Sequence, residues 1–110
     1  MQKYELIVSD FAEIDLKEII TFFYDKNIQY SIKLYKKIKM RIEELEVFPE
    51  RGRVVPELEK QGISKYRQII EGNYRIIYSI RDKQVNILMI VDSRRNLEEL
   101  LFTKLLKISE

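Results

Sequence analysis

The sequence predicts an α+β fold: an N-terminal strand, an antiparallel helical hairpin, a three-stranded antiparallel meander completing a four-stranded sheet, and a short C-terminal helix. Three observations carry that expectation. Between Ile63 and Arg95 lie three segments rich in Ile, Val and Tyr, separated by turn residues at Glu71-Gly72-Asn73 and at Asp82-Lys83. Such residues fit a pleated, half-buried surface, and Gly-Asn supplies the positive φ of a tight hairpin. Before the meander, apolar residues recur at helical spacing from Ala12 to Phe48, with a break at Lys26-Asn27-Ile28-Gln29. After it, a leucine stripe starts at Leu97.

Residues 3–8, KYELIV, alternate with Tyr4, Leu6 and Val8 on one side and read as the first strand. Ser9 is placed to cap a helix, with Asp10 and Glu13 in its first turn. Leu16, Ile19, Ile20 and Phe23 then keep helical spacing to about Asp25. The second helix carries Leu34, Ile38, Ile42, Leu45 and Phe48 on one face, so the hairpin is expected to lay an apolar seam on the sheet, edged by Tyr24, Tyr30 and Tyr35. Its other face, with Lys33, Lys36, Lys37, Lys39, Arg41, Glu43, Glu44 and Glu46, reads as a phosphate-binding stripe or as a solvated surface with balancing glutamates. The solvated reading is the commoner outcome. Pro49 ends the helix, and the segment Pro49 to Leu58 has turn residues without a period, so a loop is expected there. Leu97, Leu100, Leu101, Lys104, Leu105 and Ile108 describe the terminal helix.

With Gly72-Asn73 and Asp82-Lys83 as central pairs of two-residue turns, strand period two assigns each meander side chain to a face. One face carries Ile69, Tyr74, Ile76, Tyr78, Ile80, Val85, Ile87, Met89 and Val91 and is expected to receive the helices. The other carries Tyr66, Gln68, Arg75, Ser79, Arg81, Asn86 and Asp92, mixed with Ile70, Ile77, Leu88 and Ile90. It is expected to be wet, cationic and functional.

A chain of 110 residues with 45% hydrophobic content supports one domain, residues 1–110, around one core. There is no cysteine and no histidine. Disulfides, thiolate metal sites and the commonest general base are therefore excluded, and acid/base chemistry falls to carboxylates, Lys, Arg or Tyr. No metal or other cofactor is expected. The first ten residues are too charged for a secretory apolar region, and no apolar run approaches the roughly 18 residues of a membrane span, so a cytoplasmic protein without membrane contact is expected. Charge is uneven: residues 1–50 hold 8 Lys+Arg against 10 Asp+Glu, and residues 51–110 hold 12 against 8. The cationic surplus sits with the sheet, where it suits either an anionic partner or plain solvation.

The residues at the sheet narrow the reading. Leu45-x-x-Phe48-Pro49-x-x-Gly52-Arg53, Tyr66-Arg67, Gly72-x-Tyr74-Arg75-Ile76-Ile77-Tyr78 and Ile90-Val91-Asp92-Ser93-Arg94-Arg95, with Asp15-Leu16-x-x-Ile19 in the first helix, resemble the RelE/ParE superfamily of type II toxin–antitoxin toxins, often labelled plasmid stabilisation proteins. The resemblance covers essentially the whole chain. It implies a RelE/ParE-like fold, a toxin causing growth arrest, and a cognate antitoxin protein as partner. The superfamily carries two mechanisms on one scaffold. RelE-like members cleave mRNA on the ribosome with the RNA's own 2′-OH as nucleophile, and ParE-like members poison DNA gyrase.

Cleavage by a 2′-OH needs a base, cations for the crowded phosphorane and a proton donor for the leaving oxygen. For that chemistry the resemblance assigns phosphate stabilisation to Arg75, the basic position after the last strand to Arg94 or Arg95, and the base to Glu57 in Pro56-Glu57-Leu58. For contact with a target or a phosphate the candidates are Arg67, Arg75, Arg81, Arg94 and Arg95. The sequence departs from the nuclease pattern at Tyr66 and Gln68, where lysines are usual, and at Asp92, where the last strand often ends in histidine. Those departures favour ParE-like inhibition of gyrase, with an mRNA endonuclease as the alternative and a degenerate, antitoxin-binding module as the third reading. Each candidate also has a structural role open to it. Arg75 can pair across the sheet with Asp92 or Glu71, Tyr78 can fill the core, Glu57 can be a solvated carboxylate, and Arg94-Arg95 can cover the sheet edge.

Overall fold

The Ser9 cap and both hairpin turns form where the sequence places them, and Asn27, in the expected break, caps the second helix. In the computed structural model, which describes residues 3–109 with side chains to Lys104, the order is β1 (Glu5–Val8), α1 (Asp10–Tyr24), α2 (Ile28–Glu43), β2 (Arg53–Val54), α3 (Pro56–Glu59), β3 (Tyr66–Glu71), β4 (Tyr74–Arg81), β5 (Gln84–Asp92) and α4 (Leu97–Ser109). Ser9 Oγ accepts the Ala12 N–H at 3.1 Å, and Asn27 Oδ1 accepts the Tyr30 N–H at 3.0 Å. Each cap of this kind contributes about 1 kcal/mol. Gly72 has φ of 60° and Asp82 has φ of 55°, which closes both hairpins with two-residue turns.

The sheet has five strands, in the order β1-β5-β4-β3-β2. β1 runs parallel to β5 and the remaining pairs are antiparallel. The expected four-stranded sheet is thus one strand short. β2 comes from the segment read as a loop, where Arg53 and Val54 lie opposite Gln68 and Arg67. Two residues cannot display a period, so the sequence carries no signal for it.

A bulge corrects the face assignment. Ile77 lies opposite Met89 but Tyr78 lies opposite Ile87, leaving Leu88 as the extra residue on β5. Beyond it every side chain of β5 changes sides. Met89 and Val91, expected beneath the helices, pack on the opposite face, and Ile90 joins the helix-facing core.

That first core joins Ala12, Leu34, Ile38, Ile42 and Leu45 to Ile69, Ile76, Tyr78, Val85 and Ile87. Tyr4 and Leu6 pack against it as expected, whereas Val8 is exposed. Phe48 is also out of the seam, 58% exposed, because the chain leaves α2 through the 3-10 turn Glu44–Glu46 before reaching it.

The face expected to be wet is largely covered. α3 and α4 bring Val55, Leu58, Leu97 and Leu101 onto Tyr66, Ile77, Leu88, Met89 and Val91 to form a second core. The end nearest the Asp82 turn stays open, with Ser79, Gln84 and Asn86 half-buried and Arg81 exposed, and Ile70 is exposed at the opposite end. Leu105 and Ile108 of the leucine stripe lie outside the described side chains. No helix among the described residues is long and apolar enough to cross a membrane.

Candidate functional site

The motif residues sort into three clusters. The first is scaffold. Tyr78 is fully buried, and its hydroxyl donates to Pro49 O at 2.7 Å while accepting the Gly52 N–H at 2.9 Å. Burial pushes the phenol above its usual range, so it stays protonated at neutral pH and keeps donating. A Cβ at Gly52 would stand 2.5 Å from Gln68 O and 2.5 Å from Tyr78 Oη, which is why this close approach requires glycine. Arg67 Nη1 donates to Gly52 O at 2.7 Å. The Phe-Pro-x-x-Gly-Arg segment is therefore pinned to the sheet by Tyr78 and Arg67. Tyr78 fills the core and touches no open surface.

The second cluster lies on the α3 face of the sheet. Arg75 Nη1 donates to Glu57 Oε1 and to Gln68 Oε1, both at 2.9 Å. Glu57 sits in the single turn of α3, which Val55 and Leu58 anchor in the second core. The hydrogen bond from Arg75 holds the Glu57 carboxyl below the usual carboxylate range, against the opposing effect of burial. A general base works best with a pKa near the working pH and a free lone pair. Glu57 is depressed and engaged, which makes it a weak base as it stands. Gln68, at a nuclease lysine position, is buried and supplies an acceptor instead of a cation. The cross-sheet partners considered for Arg75 are engaged elsewhere: Asp92 holds Arg94, and Glu71 lies 3.9 Å from Arg41.

The third cluster closes β5. Asp92 accepts from Arg94 Nη2 at 2.6 Å, from Arg94 Nε at 3.0 Å and from the Arg94 backbone N–H at 2.9 Å. The guanidinium bond is the main reason its carboxyl is pulled down to about 2. Asp92 is opposite Tyr74, whose side chain packs on the helix side, so Arg94 is held across the sheet from Arg75. The exposed Arg95 and Arg94 line a groove of about 340 Å³ with Phe22, Phe23, Tyr74 and Lys104. Arg81 stands apart from both clusters, exposed at the Asp82 turn. The structure thus brings Arg75 and Glu57 together and leaves Arg94, Arg95 and Arg81 away from them.

One motif residue, Asp15, has a role that the sequence reading did not assign. Asp15 is buried on α1, where its Oδ2 accepts the Ile90 N–H at 2.9 Å and its Oδ1 accepts from Lys104 Nζ at 3.2 Å. β1 pairs with β5 only as far as Ile87, so the next outward backbone groups of β5 need other partners. Ser9 Oγ donates to Leu88 O at 2.8 Å, and Asp15 takes the Ile90 amide. The available signal was a carboxylate on the same helical stripe as Ala12 and Ile19. Among the described residues no three Asp or Glu side chains converge as a metal site would require.

Comparison with known proteins agrees with this architecture. The family model described as ParE toxin of type II toxin-antitoxin system, parDE, matches residues 6–97. No curated protein matches the sequence. Among solved structures, the chromosomal ParDE toxin–antitoxin system from P. aeruginosa is similar with a TM-score of 0.66 and 16% identity, covering 82% of this chain and 96% of that one. The RelBE2 toxin–antitoxin complex from Mycobacterium tuberculosis is similar with a TM-score of 0.55 and 19% identity, covering 84% of this chain and 93% of that one. At these identities the two likenesses show the fold.

Proposed function

Because the chain belongs to the ParE toxin family of type II toxin–antitoxin systems, we propose that it arrests growth in the cytoplasm by inhibiting DNA gyrase, and that a cognate antitoxin keeps it silent. The observation that carries the choice of target is the state of Arg75. Its guanidinium is bound to Glu57 and Gln68, and Arg94 lies across the sheet, so the groups that mRNA cleavage needs are not assembled around one open point. A protein that acts by contact needs no such assembly. The antitoxin has apolar surface to cover: Phe22, Tyr24, Ile28, Ile32 and Met40 of the helical hairpin are exposed, and a segment that folds on binding suits such a face.

The test is a cleavage assay with purified protein, gyrase and supercoiled plasmid. Linear DNA trapped with gyrase is the expected product. A second reading draws on the closeness of Glu57 and Arg75, a carboxylate and a phosphate-binding cation in direct contact. If that pair opens on the ribosome, induction produces new mRNA 5′ ends and leaves plasmid topology unaltered, which would displace the gyrase reading. Antitoxin binding with neither effect would mark a degenerate toxin.

A further inference from the structure

Of the sheet's cations, several are already engaged inside the protein: Arg67 by Gly52 O, Arg75 by Glu57 and Arg94 by Asp92. Among the described residues Lys65 and Arg81 have no such oxygen partner, and Lys65 Nζ stands over the Tyr66 ring, 5.1 Å from its centroid. Both are exposed, and among the described residues neither has a carboxylate within salt-bridge distance. They flank a trough of about 500 Å³ at the end of the α4-side face that the described side chains of α4 leave open. Its floor is a straight row across four strands, in which Tyr66 lies opposite Ser79, Ser79 opposite Asn86, and Asn86 beside Ile7. Three strand spacings make that row about 14 Å long. Among the described residues no Asp or Glu lines the trough, although the chain carries 18. The groove beside Arg95, by contrast, is lined by Asp15, Glu18 and Asp92.

We propose that this trough binds a single strand of DNA through its phosphates, with Lys65 and Arg81 as the cationic contacts and Ser79 and Asn86 as neutral hydrogen-bonding partners. A concave floor receives a strand, whereas duplex grooves are read by inserted helices or ribbons. Cations flanking neutral donors, with no carboxylate in the described lining and Glu5 held outside it by Gln84 at 3.0 Å, are the electrostatic complement of a phosphodiester chain. The geometry specifies the phosphodiester chemistry, and the choice of DNA over RNA rests on the gyrase reading.

Fluorescence anisotropy of the purified full chain with a labelled DNA strand of about 12 nucleotides tests this without gyrase. Wild-type binding is expected to weaken with salt. Lys65→Glu/Arg81→Glu is expected to lose at least about tenfold in affinity and to flatten the slope of log K against log salt by about 1.4, two phosphate contacts' worth for a single strand. Lys36→Glu/Lys37→Glu on α2 makes the same change in net charge and is expected to bind like wild type. Ser79→Leu obstructs the floor at constant charge and is also expected to weaken binding, with melting curves confirming that each variant folds. Absence of wild-type binding, equal loss in both double variants, or tighter binding of an RNA strand of the same sequence overturns the proposal. DNA binding without trapped linear plasmid would remove the gyrase reading alone, and trapped plasmid without DNA binding would remove this inference alone.

Discussion

Two arginine–carboxylate pairs close the two sides of this sheet, and they differ in everything but chemistry. Arg75 and Glu57 are 18 residues apart in sequence, with side chains only 16% and 24% exposed, and their bond fastens α3 to β4. Arg94 and Asp92 are two residues apart, and the Arg94 side chain is 72% exposed. A partly buried pair across elements holds tertiary structure, and removing one partner strands the other in a poor solvent. An exposed local pair is worth little and lets go cheaply. The arginine that the family pattern nominates for phosphate is therefore bound into the scaffold, while the one beside α1 is held only by an exposed local pair that a partner can displace.

The largest effect expected is at the core both pairs depend on. Ile76→Asp places a charge at a fully buried position beneath the helices and should unfold the chain, a loss above about 4 kcal/mol, read as absent near-UV circular dichroism. Next is Tyr78→Phe, which leaves the Gly52 N–H and Pro49 C=O without their partner in the interior. It should cost about 1–3 kcal/mol in a urea melt. Arg75→Ala should cost about 2 kcal/mol, because it removes charged hydrogen bonds to Glu57 and Gln68. Toxicity should then fall only in step with the melting temperature. Toxicity lost with stability intact would make Arg75 a contact or catalytic group and reverse the contrast.

How much of this was legible follows from which residues act locally. Ser9, Gly72 and Asp82 act on their own neighbourhood, so the first helix start and the hairpin turns could be read directly, and Asn27 lies in the break read between the helices. The Leu88 bulge could not, because Ser9 and Asp15 stabilise it from 79 and 75 residues away. The covered face was half visible. Ile77 and Leu88 looked like intrusions among polar residues, and they belong to the core that Leu97 and Leu101 complete. Arg75 and Glu57 were both nominated from the family pattern. Their direct bond depends on α3, whose four residues carry no periodic signal.

The acid limb of stability sharpens the comparison further. The folded-state pKa of Glu57 is depressed below its ordinary 4.5, so its contribution is present above that value and is lost as pH falls through the folded pKa. Arg75→Ala should remove that part of the acid-side loss, seen as a flatter stability profile below about pH 4.5. The smallest effect belongs to the exposed pair. Arg94→Ala should let the Asp92 carboxyl return from about 2 toward 3.8 in an NMR titration while barely moving the melting temperature.

The most direct test of the central claim, that Glu57 and Arg75 form scaffold and not a catalytic pair, is growth arrest on induction of Glu57→Gln. Glutamine keeps an oxygen for Arg75 and cannot serve as a base. Arrest that persists, with linear plasmid trapped on gyrase, is the predicted result. Arrest that disappears while the melting temperature is unchanged would contradict it and identify Glu57 as the group that takes the proton.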